Sequence, residues 1–234
     1  MTEQPRRAMV ITAHPDDAEF TVAGTVARWA REGQEVIYVI CTDGSRGSND
    51  PEIEPAALAV VRKAEQDAAA HVLDVKEVVY LDYEDGTLEP TLALRRDLTR
   101  VIRRYRPDVV VCSDPTMRFY GDGYLNHPDH RAAGDAALDA VFPSAGTRHI
   151  FPELLAEGLE PHDVKEVFVH GHPTPDHWVD ISDTIACKIA ALEQHKSQVG
   201  GWEGLAEGIR AWAQEAGADQ GMAYAESFKR IILV

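Results

Sequence analysis

The chain has 234 residues, 44% of them hydrophobic and 26% charged, with a formal net charge of −16. That is enough for one sizeable core, so a single domain over residues 1–234 is expected. So acidic a surface repels phosphate backbones and anionic headgroups, which argues against nucleic acid, and no apolar run approaches the roughly 18–20 residues of a membrane-spanning helix.

In chain order, the opening "MTEQPRRAMV" has two arginines but no apolar segment, so no secretory signal is expected. A first strand is predicted over 8–13, followed by the turn "HPDDAE" and a helix over 20–32 that stops at Gly33. A second strand covers 36–41, then a long polar loop, 42–54, then a helix over 55–73 opening on Pro55. A third strand covers 77–81, a helix 90–105 stops before Pro107, and a fourth strand covers 108–112. The loop 113–127 leads to a helix opening at Pro128, with Asn126 or His127 as its cap. A fifth strand covers 166–170, and a glycine-punctuated tail closes in "FKRIILV", which reads as a last strand. The strands are continuous and β-branched rather than alternating, as strands buried on both faces of a parallel sheet are. Their alternation with helices predicts an α/β, doubly wound, Rossmann-like fold, with helices on both faces of a mostly parallel sheet. Cys41, Cys112 and Cys187 are odd in number and widely spaced; they read as free thiols in a reducing cytoplasm.

The first strand poses a chemical problem. It ends in "AHPDDAE", where Asp16 and Asp17 stand side by side behind a buried apolar run. Adjacent carboxylates repel each other and desolvate at a cost, unless the turn faces open solvent or a cation sits beside them. A pyrophosphate would meet the same repulsion, so a nicotinamide cofactor is not expected. The second informative stretch is "NHPDH" at 126–130, whose His127 and His130 start a helix from one side. In open α/β sheets ligands bind beyond the carboxyl ends of strands. His14, Asp17 and His130 can meet there as two imidazoles and one carboxylate, the ligand composition of a catalytic zinc centre. That leaves Asp16 free beside the cation.

Taken together, "AHPDDAE" and "HPDH" resemble the LmbE-like, or PIG-L, family of zinc-dependent de-N-acetylases. The likeness extends to "TDGSRG", Arg62 to Glu65, "DYEDG" at 82–86, "VDISD" and "KIAALEQHKSQ". It implies a Rossmann-like fold and hydrolysis of an N-acyl group, acetyl first, on an amino sugar or small glycoconjugate. By motif position, His14, Asp17 and His130 resemble the ligands of Zn2+ or another divalent metal. Asp16 resembles the general base toward a metal-activated water, and His127 the group that stabilises the oxyanion, with Asp129 orienting its ring. The chain departs from relatives at Asn126, where glycine is frequent. It departs again at Leu125, where some sugar deacetylases carry a tyrosine, here displaced to Tyr124.

The rival enzyme reading is an amidase acting on a larger acyl-cysteinyl, thiol-glycoside or secondary-metabolite amide. The rival outside catalysis is a metal-binding or interaction protein, which would not need Asp16, His127 and Asp129. Arg46 and Arg118, in the two long loops, are candidates for substrate contacts against a default of solvated loop arginines. His170, His172 and His177 form a rival histidine cluster without a neighbouring carboxylate ligand; one of them touching substrate is the better reading. His71, His149, His162 and His195 read as surface or structural, and the four tryptophans as packing residues. The expected partner is a small molecule, and a homo-oligomer is left open.

Overall fold

Strand β1 (Arg7–Thr12) sets the plan of the molecule. Its residues alternate between two cores: Ala8 and Val10 join one apolar cluster, Met9 and Ile11 the other, and all four are 0–1% exposed. A strand buried on both faces needs helices above and below it. The computed structural model describes residues 6–233. Residues 1–5, part of the segment read above for a secretory signal, and Val234 lie outside the described residues.

After β1 come α1 (Asp17–Thr21), α2 (Ala23–Arg31), β2 (Glu35–Thr42), α3 (Pro55–Val72), β3 (Glu77–Tyr83) and α4 (Leu92–Tyr105). Then follow β4 (Val109–Ser113), a small hairpin of β5 (Phe119–Tyr120) and β6 (Tyr124–Leu125), α5 (Pro128–Asp139) and α6 (Glu153–Ala156). The chain ends with β7 (Glu166–His170), β8 (His177–Asp180), α7 (Ile185–Leu192), α8 (Lys196–Val199), α9 (Leu205–Gly217) and β9 (Ala225–Ile232). The main sheet has seven strands in the order β3-β2-β1-β4-β7-β9-β8. Its first five are mutually parallel, and β9 runs antiparallel to both β7 and β8. Residues from α1, α2, α3, α7 and α9 cover one face, and residues from α4 and α5 the other. The Rossmann-like, mostly parallel expectation holds.

The local signals explain most boundaries. Gly33 takes φ +83° just past α2, with its N–H on Ala30 O, as a helix-stopping glycine does. Pro55 opens α3, and the Thr91 hydroxyl caps α4 by accepting from Leu94 N at 3.2 Å. Several details differ from the expectation, among them strand β8, where no strand is predicted. The helix predicted at 20–32 starts earlier and breaks at Val22 into α1 and α2. Strand β3 is an edge strand with no fully buried residue, because no strand among the described residues pairs beyond it. The loop 113–127 contains the β5–β6 hairpin, two residues per strand, too short to leave a periodic signal.

The order places the site. From β1 the chain proceeds through β2 to β3 on one side, then crosses to β4 on the other side of β1. The crevice between the carboxyl ends of β1 and β4 is the switch point where such sheets bind ligands. Gly134 lets α5 lie close over β4: a Cβ there would stand 2.3 Å from Ser113 O. Among the described residues no helix is long and apolar enough to cross a membrane.

Candidate metal centre and active site

His14 lies two residues past β1, and His130 sits in the first turn of α5, so the sheet edge and the helix start converge on one point. Asp17 joins them. Its Oδ2 accepts from the His14 backbone N–H at 2.8 Å and lies 3.5 Å from His14 Nδ1, while its Oδ1 lies 3.0 Å from His130 Nε2. One donor atom from each of the three lies within 4.8 Å of the others. Ligands at about 2.0–2.1 Å around a tetrahedral cation stand about 3.3–3.4 Å apart, so these spacings suit one ion.

The surroundings fix which ring nitrogens are free. His14 Nε2 lies 3.1 Å from Asp85 Oδ1 and 3.3 Å from Asp129 Oδ2. Carboxylates only accept, so Nε2–H donates to them and Nδ1 keeps its lone pair in the neutral ring. For His130 the partner is Asn126. Asn126 Nδ2 donates to Met117 O at 2.7 Å, which orients the amide, and its Oδ1 accepts from His130 Nδ1 at 3.1 Å. Nε2 of His130 is thereby left toward Asp17.

Asp16 takes a different part of the turn. Its backbone is left-handed, φ 95°, so the turn is not the extended one that separates neighbouring side chains by simple alternation. An aspartate in that region is strained unless its surroundings hold it. Here Gln66 Oε1 accepts its N–H at 2.9 Å, and Arg62 Nη2 donates to Pro15 O at 2.6 Å and to Asp16 Oδ2 at 3.2 Å. Behind it, Gln66 Nε2 donates to Glu19 Oε1 at 3.1 Å, and Glu19 Oε2 lies 3.2 Å from His195 Nε2, all three residues 0% exposed.

His127 caps α5: its Nδ1 accepts from the Asp129 backbone N–H at 3.2 Å. The Asp129 carboxylate, expected to orient that ring, stands 3.8 Å from Nδ1, beyond hydrogen-bond reach. It is held by Gly86 N at 2.7 Å and Leu88 N at 3.2 Å, and faces His14. Orientation of His127 therefore comes from the Asp129 main chain. The His127 ring is half-buried, and Nε2 is the position left to donate.

Four carboxylates (Asp16, Asp17, Asp85 and Asp129) thus gather at this centre: Asp16 and Asp85 lie 3.2 and 3.8 Å from the Arg62 guanidinium, while Asp17 and Asp129 face the imidazoles of His130 and His14. The titration directions record that deficit of positive charge. Burial opposes the charged imidazole, yet hydrogen bonds to Asp129 and Asp17 hold His14 well above the usual histidine range. Against its own burial, His130 is raised by Asp17. Burial would lift Asp17, but His130 and His14 hold it well below the carboxylate range. Burial and the Asp17 charge push Asp16 up to about 7. Burial, with His14 nearby, lowers His127 and keeps its ring neutral near pH 7. A cation at His14, Asp17 and His130 answers the deficit and suits a donor set of two nitrogens and an oxygen.

The other candidates fall into place around this centre. The Arg46 guanidinium pairs with Glu84 outside it, although its backbone N–H donates to Asp85 Oδ2 at 2.9 Å. Arg118 is exposed and only its carbonyl is engaged, by Asn126 N at 2.9 Å. Tyr124 is 55% exposed and Leu125 68%, both on β6. His170, His172 and His177 do not form a metal-ligand group among the described residues. His170 ends β7, His172 follows the turn at Gly171, φ +74°, and His177 packs its ring on Phe168 at 5.0 Å. Burial pushes His170 down to about 4. Cys41 and Cys112 are buried free thiols, and Cys187 is a half-buried one. The sequence assigns no role to Asp85, Arg62, Gln66 or Glu19, and offers Asn126 only as a helix cap, a place that His127 takes. The visible signal was an acid at a strand end in "DYEDG", and for Asn126 its place before a helix-start histidine.

A family model, GlcNAc-PI de-N-acetylase (PIG-L), matches residues 9–141. A diacetylchitobiose deacetylase of Thermococcus kodakarensis is 34% identical over 226 residues, covering 96% of this chain and 82% of its own. A 1D-myo-inositol 2-acetamido-2-deoxy-alpha-D-glucopyranoside deacetylase of Kineococcus radiotolerans is 32% identical, covering 84% of this chain and 70% of its own. Among solved structures, the N,N'-diacetylchitobiose deacetylase of Pyrococcus horikoshii, in complex with its inhibitor MPG, superposes with a TM-score of 0.88 at 31% identity. It covers 97% of this chain and 84% of that one.

Proposed function

The chain belongs to the GlcNAc-PI de-N-acetylase (PIG-L) family, and from that premise we propose that it is a zinc-dependent hydrolase removing the N-acetyl group of an amino sugar or small glycoconjugate. The observation that carries the reading is the pairing of a metal-ligand triad with an adjacent carboxylate kept out of it, Asp16. The relatives' names supply the substrate class: each acts on an acetylated amino sugar.

The geometry supports the following roles. His14 Nδ1, Asp17 and His130 Nε2 would hold the metal. A divalent ion there supplies Lewis acidity, and zinc brings the pKa of water down to about 7. Asp16, buried and raised, accepts the proton of the water that attacks the acetamide carbonyl. His127 presents Nε2–H to the oxyanion that develops on that carbonyl, a contribution of about 10²–10³ in rate for one such donor. The proton gathered by Asp16 then passes to the departing amine, giving acetate and the free amino sugar. Asp129 acts through its main chain on His127 and through its carboxylate on His14. Arg46 and Arg118 are proposed as rim residues for substrate, approaching from the two loops. A small-molecule partner and a cytoplasmic setting fit the acidic surface and the buried free thiols of Cys41 and Cys112.

The test is release of amine and acetate by the metal-loaded protein from a panel of N-acetyl amino sugars, with N-acylated cysteinyl conjugates as controls. We expect turnover on the sugars. Exclusive turnover on the cysteinyl conjugates would move the activity to the rival amide class.

A further inference from the structure

Across the crevice from His14, the sheet edge carries polar groups that no described residue satisfies. Strand β4 ends at Ser113, whose hydroxyl donates to His130 O at 2.5 Å, and Asp114 is the next residue, at the carboxyl end of the strand, beside the one that touches a metal-ligand residue. Asp114 is 2% exposed. Its Oδ1 closes a turn, accepting from the Thr116 N–H at 2.7 Å and from its hydroxyl at 2.6 Å. Its Oδ2 is buried and has no hydrogen-bond partner among the described residues. A buried carboxylate oxygen left unpaired is costly, so the turn alone does not account for an acid at this position.

Facing it is His172. Nε2 of that ring lies 3.9 Å from Asp114 Oδ2, too far for a direct bond and close enough for one oxygen atom to touch both. His172 Nδ1 accepts from the Thr174 N–H at 3.1 Å, which leaves the ring proton on Nε2. An acceptor and a donor therefore confront each other across a gap. On the neighbouring strand, His170 Nε2 is likewise buried without a partner among the described residues, and His170 O accepts from Asp114 N at 3.0 Å. Between the two histidines, Gly171 leaves room for the Tyr120 phenol: a Cβ there would lie 2.3 Å from Tyr120 Oη.

We propose that Asp114 and His172, flanked by Tyr120 and His170, form a hydroxyl-binding subsite that holds the sugar ring beside the metal centre. An anion would be repelled by Asp114, and a cation would find a donor in His172. A hydroxyl both donates and accepts, and satisfies the two groups at once. The inference rests on the amino-sugar reading above for its ligand class, and its test is arranged to fail separately from that reading.

The experiment compares wild type, Asp114→Asn and His172→Ala, all zinc-loaded, by NMR titration with glucosamine and with cyclohexylamine, an amine of similar ring size that lacks hydroxyls. Both variants should bind glucosamine about 10-fold or more weakly, with cyclohexylamine unchanged, as expected for a lost hydrogen bond to a charged group. With an N-acetylated sugar as substrate, KM should rise by a similar factor while kcat stays within about 3-fold. An unchanged glucosamine-to-cyclohexylamine ratio in both variants overturns the subsite. His172 lies in a partly exposed turn, so its variant guards against a folding defect in Asp114→Asn. If wild type released no acetate from any amino sugar, the deacetylase reading would fall while the binding ratio still decided the subsite.

Discussion

Asp16 and Asp17 are neighbours in sequence held in opposite electrostatic settings, and the division of labour between them follows. Asp17 lies between two imidazoles, which favour its charged form, a setting that suits a metal ligand better than a base. Asp16 is buried beside it and raised, with Arg62 preventing a larger shift. Asp16→Asn should keep the metal and lose about 10²–10⁴-fold in turnover, the range for a lost general base. Asp17→Asn should lose metal on dialysis and recover part of its rate with added zinc. Metal content and rate against zinc concentration check both, and a metal-free Asp16→Asn beside a loaded, inactive Asp17→Asn would reverse the roles. Asn126 is the subtler case. Removing its carbonyl by Asn126→Ala frees His130 to turn, and metal affinity should drop about 10–100-fold, read by competition with a chelator. The triad and Asp16 were legible in the sequence because each residue sits in a motif whose spacing has a chemical use. Asp85 and Gln66 were not, because they reach the site from other strands and helices, across distances that only the fold closes.

At the scale of elements, the site depends on how closely α5 approaches β4. Gly134 permits that approach, and the Ser113 hydroxyl bonds to His130 O from the strand side. Gly134→Ala should push the helix away from the strand at a cost of about 1–3 kcal/mol, as overpacking does. His127 and His130 move with the helix, so turnover should fall even in the folded fraction. Denaturant unfolding and rate per bound metal measure the two effects, and full activity per metal in a destabilised protein would show that the helix position is not critical. Proline and glycine made the element boundaries readable: Pro55, Pro128 and Gly33 each mark one. The break at Val22 carries no such mark. It arises where α1, fixed by the Asp16–Asp17 turn, meets α2, whose first N–H groups are held from a distant strand. Gly24 N and Thr25 N donate to the Glu226 carboxylate at 3.0 and 2.7 Å.

On the scale of the whole molecule, that same Glu226 ties β9 to the layer formed by α2 and α7. Lys188 Nζ donates to it at 2.6 Å, and both side chains are 5% exposed. Lys188→Met strands the glutamate charge in the interior and should cost about 3–5 kcal/mol of stability, measured by denaturant unfolding, while leaving the metal site intact at low temperature. A loss under about 1 kcal/mol would show that water reaches Glu226. The pair was unreadable from sequence, since Lys188 and Glu226 look like ordinary surface charges until the sheet brings β9 beside α2. The parallel core, in contrast, was plain in the runs of valine and isoleucine, because strands buried on both faces leave no room for polar alternation. All of these layers converge on one catalytic claim, that a single metal at the β1–β4 crevice drives N-deacetylation. Its most direct measurement is acetate released from an N-acetyl amino sugar by chelator-stripped protein as zinc is added back in steps. Without metal no acetate should be released, and the rate should rise in proportion to zinc until one equivalent per chain is bound. Acetate release that is full in the stripped protein, or absent at one bound equivalent, would contradict it.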